Sequence, residues 1–444
     1  MRLHQIVLAA FLPLASLAQA KERLVAPGAG ALQSAIAGAV PGDVLLLSAG
    51  VYDGPLVVDR PLTIDGQGAA ILDGGGVGTV VTITGDDVTL RGVEVRNSGH
   101  NNQAIDSGVK IVKGADRALV EDNRLIDNMH GVDIHGGRDA VVRANNVIGR
   151  QNSRMNERGN GFYIWNSPGA VIEGNSVRYG RDGIFANASK KDTFRNNLFR
   201  DLRFAVHYMY THDSEVSGNV SIGNHLGFAI MYSDRVVVTN NKSLGDRSHG
   251  VMLNFANKSD IVGNLVRGGT EKCTFIYNAN RNLIAANRFE GCDIGIHFTA
   301  GSEKNGLTGN AFVGNRTQVK YVGTRNIEWS LEGRGNYWSD FPAFDLNGDG
   351  LADSPFRPND LMDSILWSQP SASLLLGSPA VQLIRWSQAS FPATLPGGVV
   401  DSHPLMTPPE IAVPADITAM EADVAGRWLK ETTDDTDLDA EATH

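Results

Sequence analysis

"GVDIHGGRDAVVRANNVI" (Gly131 to Ile148) and "GFAIMYSDRVVVTNNKSL" (Gly227 to Leu244) follow one plan, although few of their residues agree. Each opens on glycine, alternates apolar with other residues, breaks at a polar turn and resumes with a second apolar run. Each then reaches an asparagine, Asn145 or Asn241, at the same remove from its opening glycine. Alternation at period two marks short strands. The unit recurs along the chain. Its asparagines are Asn123, Asn145, Asn175, Asn197, Asn219, Asn241, Asn264, Asn287 and Asn310, which makes the spacing nearly constant apart from one longer step between Asn145 and Asn175. The landmark that precedes the asparagine is Gly131, Gly161, Gly183, Ala205, Gly227, Gly250 or Cys273 in the coils from Asn145 to Asn287, and Gly295 stands one place further ahead of Asn310. A short, regular repeat made of short strands predicts an all-β fold, a right-handed parallel β-helix in which each coil hydrogen-bonds to the next. Stacked asparagines fit it, because an amide at a tight turn can bond its own backbone and the amide of the next coil. Helical repeats fit poorly, since Gly, Asn, Val and Ile recur where a helix wants Ala, Leu and Glu.

The rest of the chain supports this reading. Fifty glycines and 7% aromatics among 444 residues suit a turn-rich β protein. Residues 1–20 read as a secretory signal: Arg2, an apolar run from Ile6 to Leu17, then Ala18-Gln19-Ala20. No later segment is long enough to cross a bilayer. The expected compartment is the periplasm. "PGDVLLLSAGVYDG" (Pro41 to Gly54) resembles the first coil of pectin-lyase-like β-helix proteins. Residues 21–43 then form an N-terminal cap with a short apolar helix, and residues 44–340 the solenoid, with room for roughly thirteen coils and a rod roughly 60 Å long. Residues 341–409 are expected to cap the far end, "LLLGSPAVQLIRWSQASFP" (Leu374 to Pro392) forming a helix there. Residues 410–444 form an acidic tail, expected to be flexible, in which "ITAMEADVAGRWLKE" becomes an amphipathic helix on contact with a partner. The net charge of −10 opposes a nucleic-acid partner. Cys273 and Cys292 match no zinc spacing. They read more simply as two small buried residues, with a disulfide as the alternative.

Register along the coils sorts side chains. In the strand after each landmark the first and third residues are apolar and face the core, as in Val206/Tyr208 and Phe228/Ile230. The second and fourth then form an outward row holding His135, Tyr163, Trp165, Phe185, His207, Met209, Met231, Met252, Phe275, Tyr277 and His297. His207, Met209, Met231 and Met252 fall on three consecutive coils. Thioether with imidazole suits Cu(I), a soft ion, and these four with His297 are the copper candidates. His135, Tyr163, Trp165, Phe185, Phe275 and Tyr277 are candidates for docking a partner. His130, His225 and His249 lie at corners and read as solvated turn residues. Two longer coils send polar loops, Asn97 to Asp106 and Arg150 to Asn160, from the same corner two coils apart. Such insertions are either tolerated or form a partner-facing rim.

An enzyme reading is weaker. Polysaccharide lyases and epimerases of this fold need clustered carboxylates, and the outward row offers Asp133 alone. "THDS" (Thr211 to Ser214) resembles the Asp-Pro-His-Asp signature of alginate epimerases but lacks its first Asp and its Pro. "DLNGDGLAD" (Asp345 to Asp353) alternates oxygen donors at Asp345, Asn347, Asp349 and Asp353. It is either a structural Ca²⁺ loop or an Asx-turn loop without metal.

"GRGNYWSDFPAFDLNGDGLADSPFRPNDLMDSILWSQPSASLLLGSPAVQLIRWSQASFPATLPGGVVDSHPLM" (Gly333 to Met406) closely resembles the C-terminal region of the NosD family. These are periplasmic maturation proteins for nitrous oxide reductase, and the signal segment, first coil and coil length match as well. The resemblance implies a β-helix that is not an enzyme. It implies partnership with an ABC transporter of ATPase and permease subunits, a copper-chaperone lipoprotein and the apo-reductase, in building a copper–sulfide centre. A metal-free scaffold remains the alternative to a copper binder. The family offers no short motif to carry over, so the His/Met row rests on register alone. No Walker A pattern occurs, which leaves ATP to the partner.

Overall fold

The computed structural model describes residues 20–428, apart from 152–153, 270, 324, 360, 376 and 392–397. The expected signal segment, Ala20 aside, and the last residues of the acidic tail lie outside that range. The chain is a parallel β-helix. One coil runs through strands Phe204–Met209, Glu215–Ser217 and Val220–Ile222, and the next through Leu226–Met231, Val237–Thr239 and Lys242–Leu244. Each strand pairs in parallel with its counterpart one coil on. The six-residue strands stack into one sheet, which has 12 strands among the described residues and includes the shorter Leu56–Val58, Val81–Ile83 and Phe162–Trp165, and most of the other three-residue strands form the remaining faces.

A single bend joins each pair of short strands. The residue before each asparagine has positive φ, as at Asp122 (54°), Asn196 (56°), Gly218 (63°) and Asn240 (57°). This explains the small-or-polar residue there, since Gly, Asn and Asp tolerate the left-handed region best. The asparagine that follows is buried, and its amide is fully used. Asn219 Nδ2 donates to Phe194 O at 2.8 Å and to Asn241 Oδ1 at 3.0 Å. Its Oδ1 accepts the backbone N–H and Nδ2 of Asn197 at 3.0 and 2.9 Å. The same pattern runs from Asn123 to Asn310 and on to Asn336. There Asp401 Oδ2 ends it by accepting Asn336 N–H at 2.7 Å and Trp338 Nε1–H at 2.8 Å.

The interior is mainly apolar, interrupted by the asparagine stack and by Ser221, Ser243 and Asp246. Val206, Tyr208, Phe228 and Ile230 are each 0% exposed, so the inward half of the alternation is as expected. The landmark glycines mark where coils approach closest. A Cβ on Gly227 would lie 2.4 Å from Gly250 O. Cys273 carries a side chain at that position and is disulfide-bonded to Cys292, Cα to Cα 5.7 Å. The simpler sequence reading is thus corrected. By Cys292 the chain has almost completed a lap and passes beside Cys273.

Both ends are covered. A strand, Glu22–Val25, precedes the expected helix α1 (Ala31–Gly38) and already pairs with Val44–Leu47, while Leu32 and Ile36 of α1 are buried. At the far end Trp338 stacks on Phe312 at 4.5 Å, and Gly398–Val400 pairs with Asn326–Glu328. Beyond them come α2 (Leu361–Ser368) and α3 (Pro379–Ser390), the latter capped by Ser378. Val381 of α3 is buried, but Leu383 and Trp386 are each 64% exposed. The tail carries a helix, α4 (Ala415–Trp428), whose Ile417 packs with Ile222, Leu244 and Leu265 on the rod's flank and whose Glu421 holds Arg267.

Replacing Asn219 by Ala strands two donors of Asn197 and should cost about 2–3 kcal/mol in urea unfolding, whereas Asn347→Ala, in an exposed loop, should cost under about 0.5 kcal/mol. A second expectation concerns pH. Burial raises the Asp246 carboxyl from 3.8 to about 6, against hydrogen bonds from Ser221, Ser243 and Asn224. The folded state then holds a proton that the unfolded state has lost between these values, so this group costs stability as pH rises. Three histidines with lowered pKa, His130, His249 and His297, pull the other way in the whole protein, so the difference between variant and wild type is the quantity to read. Asp246→Asn should gain on the order of 1–3 kcal/mol over wild type from pH 4 to 6 and then level off.

Candidate functional site

The outward row exists as two columns on the 12-stranded sheet. The first runs Lys110, Asp133, Tyr163, Phe185, His207, Ala229, Met252, Phe275, His297, Lys320. The second runs His135, Trp165, Asn187, Met209, Met231, Asn254, Tyr277. Much of the first column is not solvent-facing, against expectation. His207 is 8% exposed, Met252 3% and Asp133 0%. Large side chains about 4.8 Å apart shield one another, and residues at the strand starts lean over them. Phe204, Leu226, Ala229 and Met252 form an apolar cluster with Met231 and Phe275 against it.

His207 belongs to a buried ion network that the sequence reading did not find. Asp182, 1% exposed, accepts two hydrogen bonds from Arg203, at 2.9 and 2.8 Å, and lies 3.3 Å from His207 Nδ1. These partners hold the Asp182 carboxyl well below the usual range despite its burial. Asp182 stands one residue before the landmark Gly183 and Arg203 two before Ala205, so a row counted onward from the landmarks passes over both.

The register brings some copper candidates together and separates others. His207 and Met209 share a face of one strand, and Met209 pairs with Met231 on the next. Met252 lies in the other column, parted from His207 by Ala229 and drawn into the apolar cluster. His297 is two coils beyond Met252, with Phe275 between and stacked on it at 4.9 Å. Burial and Lys320 lower His297 to about 4. Register thus sets Met209, Met231 and His207 on adjacent strands and parts Met252 and His297 from them.

The docking candidates form stacked pairs: His135 on Trp165 at 4.4 Å, and Tyr163 on Phe185 at 5.4 Å. Tyr277, 41% exposed, lies 6.1 Å from Phe275. A further aromatic stack stands beside the methionines. Tyr210, Tyr232 and Phe255 follow one another at 5.1 and 5.2 Å, each at the positive-φ corner residue after the second column, with Tyr277 next at 5.8 Å. Tyr210 is 49% and Phe255 40% exposed. Aromatics recurring once per coil at these positions were visible in the sequence, but their corner position was not.

Other candidates have structural partners. Asp345 accepts the N–H of Gly348 and Gly350, Asp349 that of Leu351, and Asp353 that of Leu346. Asn347 accepts the N–H of Asp349. These are Asx-turn hydrogen bonds, and among the described residues no group of three His, Cys, Asp or Glu is placed to hold a metal. In "THDS", His212 Nδ1 accepts Asp234 N–H and Asp213 pairs with Arg235. Asp133 meets Lys110 at 3.3 Å and His135 at 3.8 Å. His130 and His249 are buried rather than solvated, with pKa values lowered by burial to about 4 and about 3.

Relatives of known sequence place the chain. It is 39% identical over 377 residues to the probable ABC transporter binding protein NosD of Stutzerimonas stutzeri, covering 82% of this chain and 86% of that protein. The protein of the same name from Pseudomonas aeruginosa is 41% identical over 376 residues, covering 82% and 88%. The chain belongs to the NosD family. The family, described as "Periplasmic copper-binding protein (NosD)", matches residues 143–343 here, which are coils of the rod that carry most of both columns. NosD-family membership also sets the compartment, the periplasm, and no helix among the described residues is long and apolar enough to cross a membrane. The fold is shared more widely. The A-module of the Azotobacter vinelandii mannuronan C-5 epimerase AlgE6 matches at TM-score 0.53 and 17% identity, covering 70% of this chain and 93% of that one. The alginate lyase AlyF-OU02 matches at TM-score 0.51 and 15% identity, covering 71% and 92%. Likeness at that identity concerns architecture alone.

Proposed function

We propose that this NosD-family chain is a non-enzymatic accessory protein in maturation of the copper centre of nitrous oxide reductase. It carries Cu(I) as cargo at the edge formed by Met209, Met231 and His207, beside an aromatic surface that docks the copper-chaperone lipoprotein or the apo-reductase. The observation that carries this reading is the pairing of Met209 with Met231 next to the row of Tyr210, Tyr232, Phe255 and Tyr277, of which all but Tyr232 are exposed. Two thioethers with an imidazole suit a monovalent soft ion handed between proteins. The buried pairing of Asp133 with Lys110 speaks against acid–base chemistry on this face.

The end bearing α2 and α3 is assigned to the ABC transporter. Leu374, Leu375, Leu383, Trp386 and Phe391 are 58–89% exposed there, and the stretch from Leu361 to Phe391 contains only Asp363 and Arg385 as charges. Such apolar exposure is unusual unless a partner covers it.

Anaerobic Cu(I) titration against a competing chelator tests the first assignment. Met209→Ala with Met231→Ala should weaken binding about tenfold or more, while Met252→Ala and His297→Ala leave it unchanged. Binding unchanged in the methionine pair moves the site elsewhere, and no binding by wild type leaves a metal-free scaffold. For the second, Leu383→Asp with Trp386→Asp should abolish co-purification with the transporter subunits while leaving Cu(I) affinity as it was. Retained co-purification refutes that end as the contact.

A further inference from the structure

At the corner between the long strand and the first short strand, Arg235, Lys258, Arg281 and Lys304 recur once per coil. Their φ values are 57°, 54°, 60° and 61°, so each holds the same place in the same turn. Gly, Asn or Asp would suit that left-handed position better, yet long cations stand there. An amide ladder behind them fixes the rise: Asn257 Oδ1 accepts the N–H of Asn280 at 2.9 Å, and Asn280 Oδ1 accepts that of Glu303 at 2.6 Å. The last three cations line a groove of about 340 Å³. Its carboxylates are already engaged. Asp234 accepts a hydrogen bond from Asn257 Nδ2 at 3.0 Å, and Glu303 pairs with Arg325 at 2.9 Å. Arg235 pairs with Asp213. Lys258, Arg281 and Lys304 are exposed, and their side chains have no hydrogen-bond or ion-pair partner among the described residues. Three such cations in line form an edge suited to an anion, in a chain whose net charge is −10.

A second row accompanies the first. Tyr232 and Phe255 stand three residues ahead of Arg235 and Lys258 on the same corner, their rings 5.2 Å apart. An extended chain laid along the corner presents alternate side chains to opposite sides. The edge therefore suits a strand in which acids alternate with small or apolar residues. This chain contains such a segment: Asp435, Asp437, Asp439 and Glu441 alternate with Thr436, Leu438, Ala440 and Ala442, and no Lys or Arg follows Lys430. Extended, residues 435–441 cover about 20 Å, against about 14 Å from Arg235 to Lys304, and the flexible stems of Lys and Arg take up the difference. The reach is sufficient. Glu421 holds Arg267, which lies in the same coil as Lys258. The remaining turns of α4 and the contour of that coil make a path of about 40 Å at most. Residues 428–441, extended, span about 45 Å.

We propose that residues 435–441 dock as an extended strand along this edge, their carboxylates on Lys258, Arg281 and Lys304 and Leu438 toward Tyr232 and Phe255. Each exposed ion pair is weak, but tethering gives the segment an effective concentration on the order of 1 mM, so a modest intrinsic affinity keeps it in place. Docked, it covers part of the aromatic row assigned above to a copper-chaperone or reductase partner, which must then displace it. That consequence rests on the proposed function, whereas the docking itself does not.

A fluorescent peptide of residues 431–444, titrated with the full chain, tests the docking. Neither copper nor a partner is present, so its failure and that of the Cu(I) reading are separate results. In a full chain carrying Asp435→Asn, Asp437→Asn, Asp439→Asn and Glu441→Gln the edge is free of its own tail, and the peptide should bind with Kd on the order of 0.1 mM. Wild type, whose tail competes, should bind it about tenfold more weakly. Lys258→Glu with Arg281→Glu and Lys304→Glu, added to the neutralised chain, should abolish binding, as should salt on the order of 1 M. A peptide of the same composition with its acids gathered at one end should bind about threefold or more weakly. No saturable binding by the neutralised chain at concentrations on the order of 1 mM overturns the proposal. Equal binding by wild type, by the charge-reversed chain or of the rearranged peptide overturns it too. A wild type that sediments as a dimer, and as a monomer once neutralised, assigns the tail to a second copy and overturns the contact within one chain.

Discussion

One amide stack organises the molecule. At each bend between the two short strands an asparagine accepts two hydrogen bonds from the coil before it and donates to the coil after it. A buried amide missing any of these would cost about as much as one large core side chain, so the stack admits only one residue type and one rise per coil. Everything else is keyed to that register. The apolar alternation faces inward because the bend is fixed, and the outward columns are straight because each coil repeats the same lap. The stack ends on the Asp401 carboxylate, so the C-terminal cap takes part in the same network.

Straight columns explain how a surface can be both packed and equipped. Side chains of one column lie about 4.8 Å apart, near van der Waals contact for large groups, so rings stack and thioethers fill gaps. The first column closes over itself in this way, with the Asp182–Arg203–His207 network and the Phe204–Met252 cluster taking up groups that alternation alone would leave in water. The second column and the corner after it remain open. Met209 and Met231 therefore sit at a boundary, backed by packed residues and edged by an aromatic stack, where a soft ion and a partner surface would meet.

The NosD relationship and the likeness to alginate-active enzymes point in different directions only if fold is taken for function. The rod of this chain and that of the epimerase module share an architecture. In this chain Asp133, Asp182 and Asp213 are paired with Lys110, Arg203 and Arg235. The two insertions are joined on one flank by Arg150, whose guanidinium donates to Ser98 O and Gly99 O.

The sequence by itself determined the solenoid, its lap, the asparagine stack and the inward half of every long strand, because each depends on residues at a fixed separation along one chain. It also placed both insertions at one corner. Family membership was legible in Gly333 to Met406. Only the tertiary structure decided which outward residues reach solvent, because shielding depends on neighbours from coils above and below and from strand starts outside the alternation. That is why Met252 and His297 stand apart from Met209 and Met231, why Asp182 and Arg203 entered the account, and why the Tyr210 stack went unremarked. The Cys273–Cys292 bond, the docking of α4 on the rod and the tie that Arg150 makes between the two insertions likewise rest on contacts between coils and loops, whose distances no spacing rule contains.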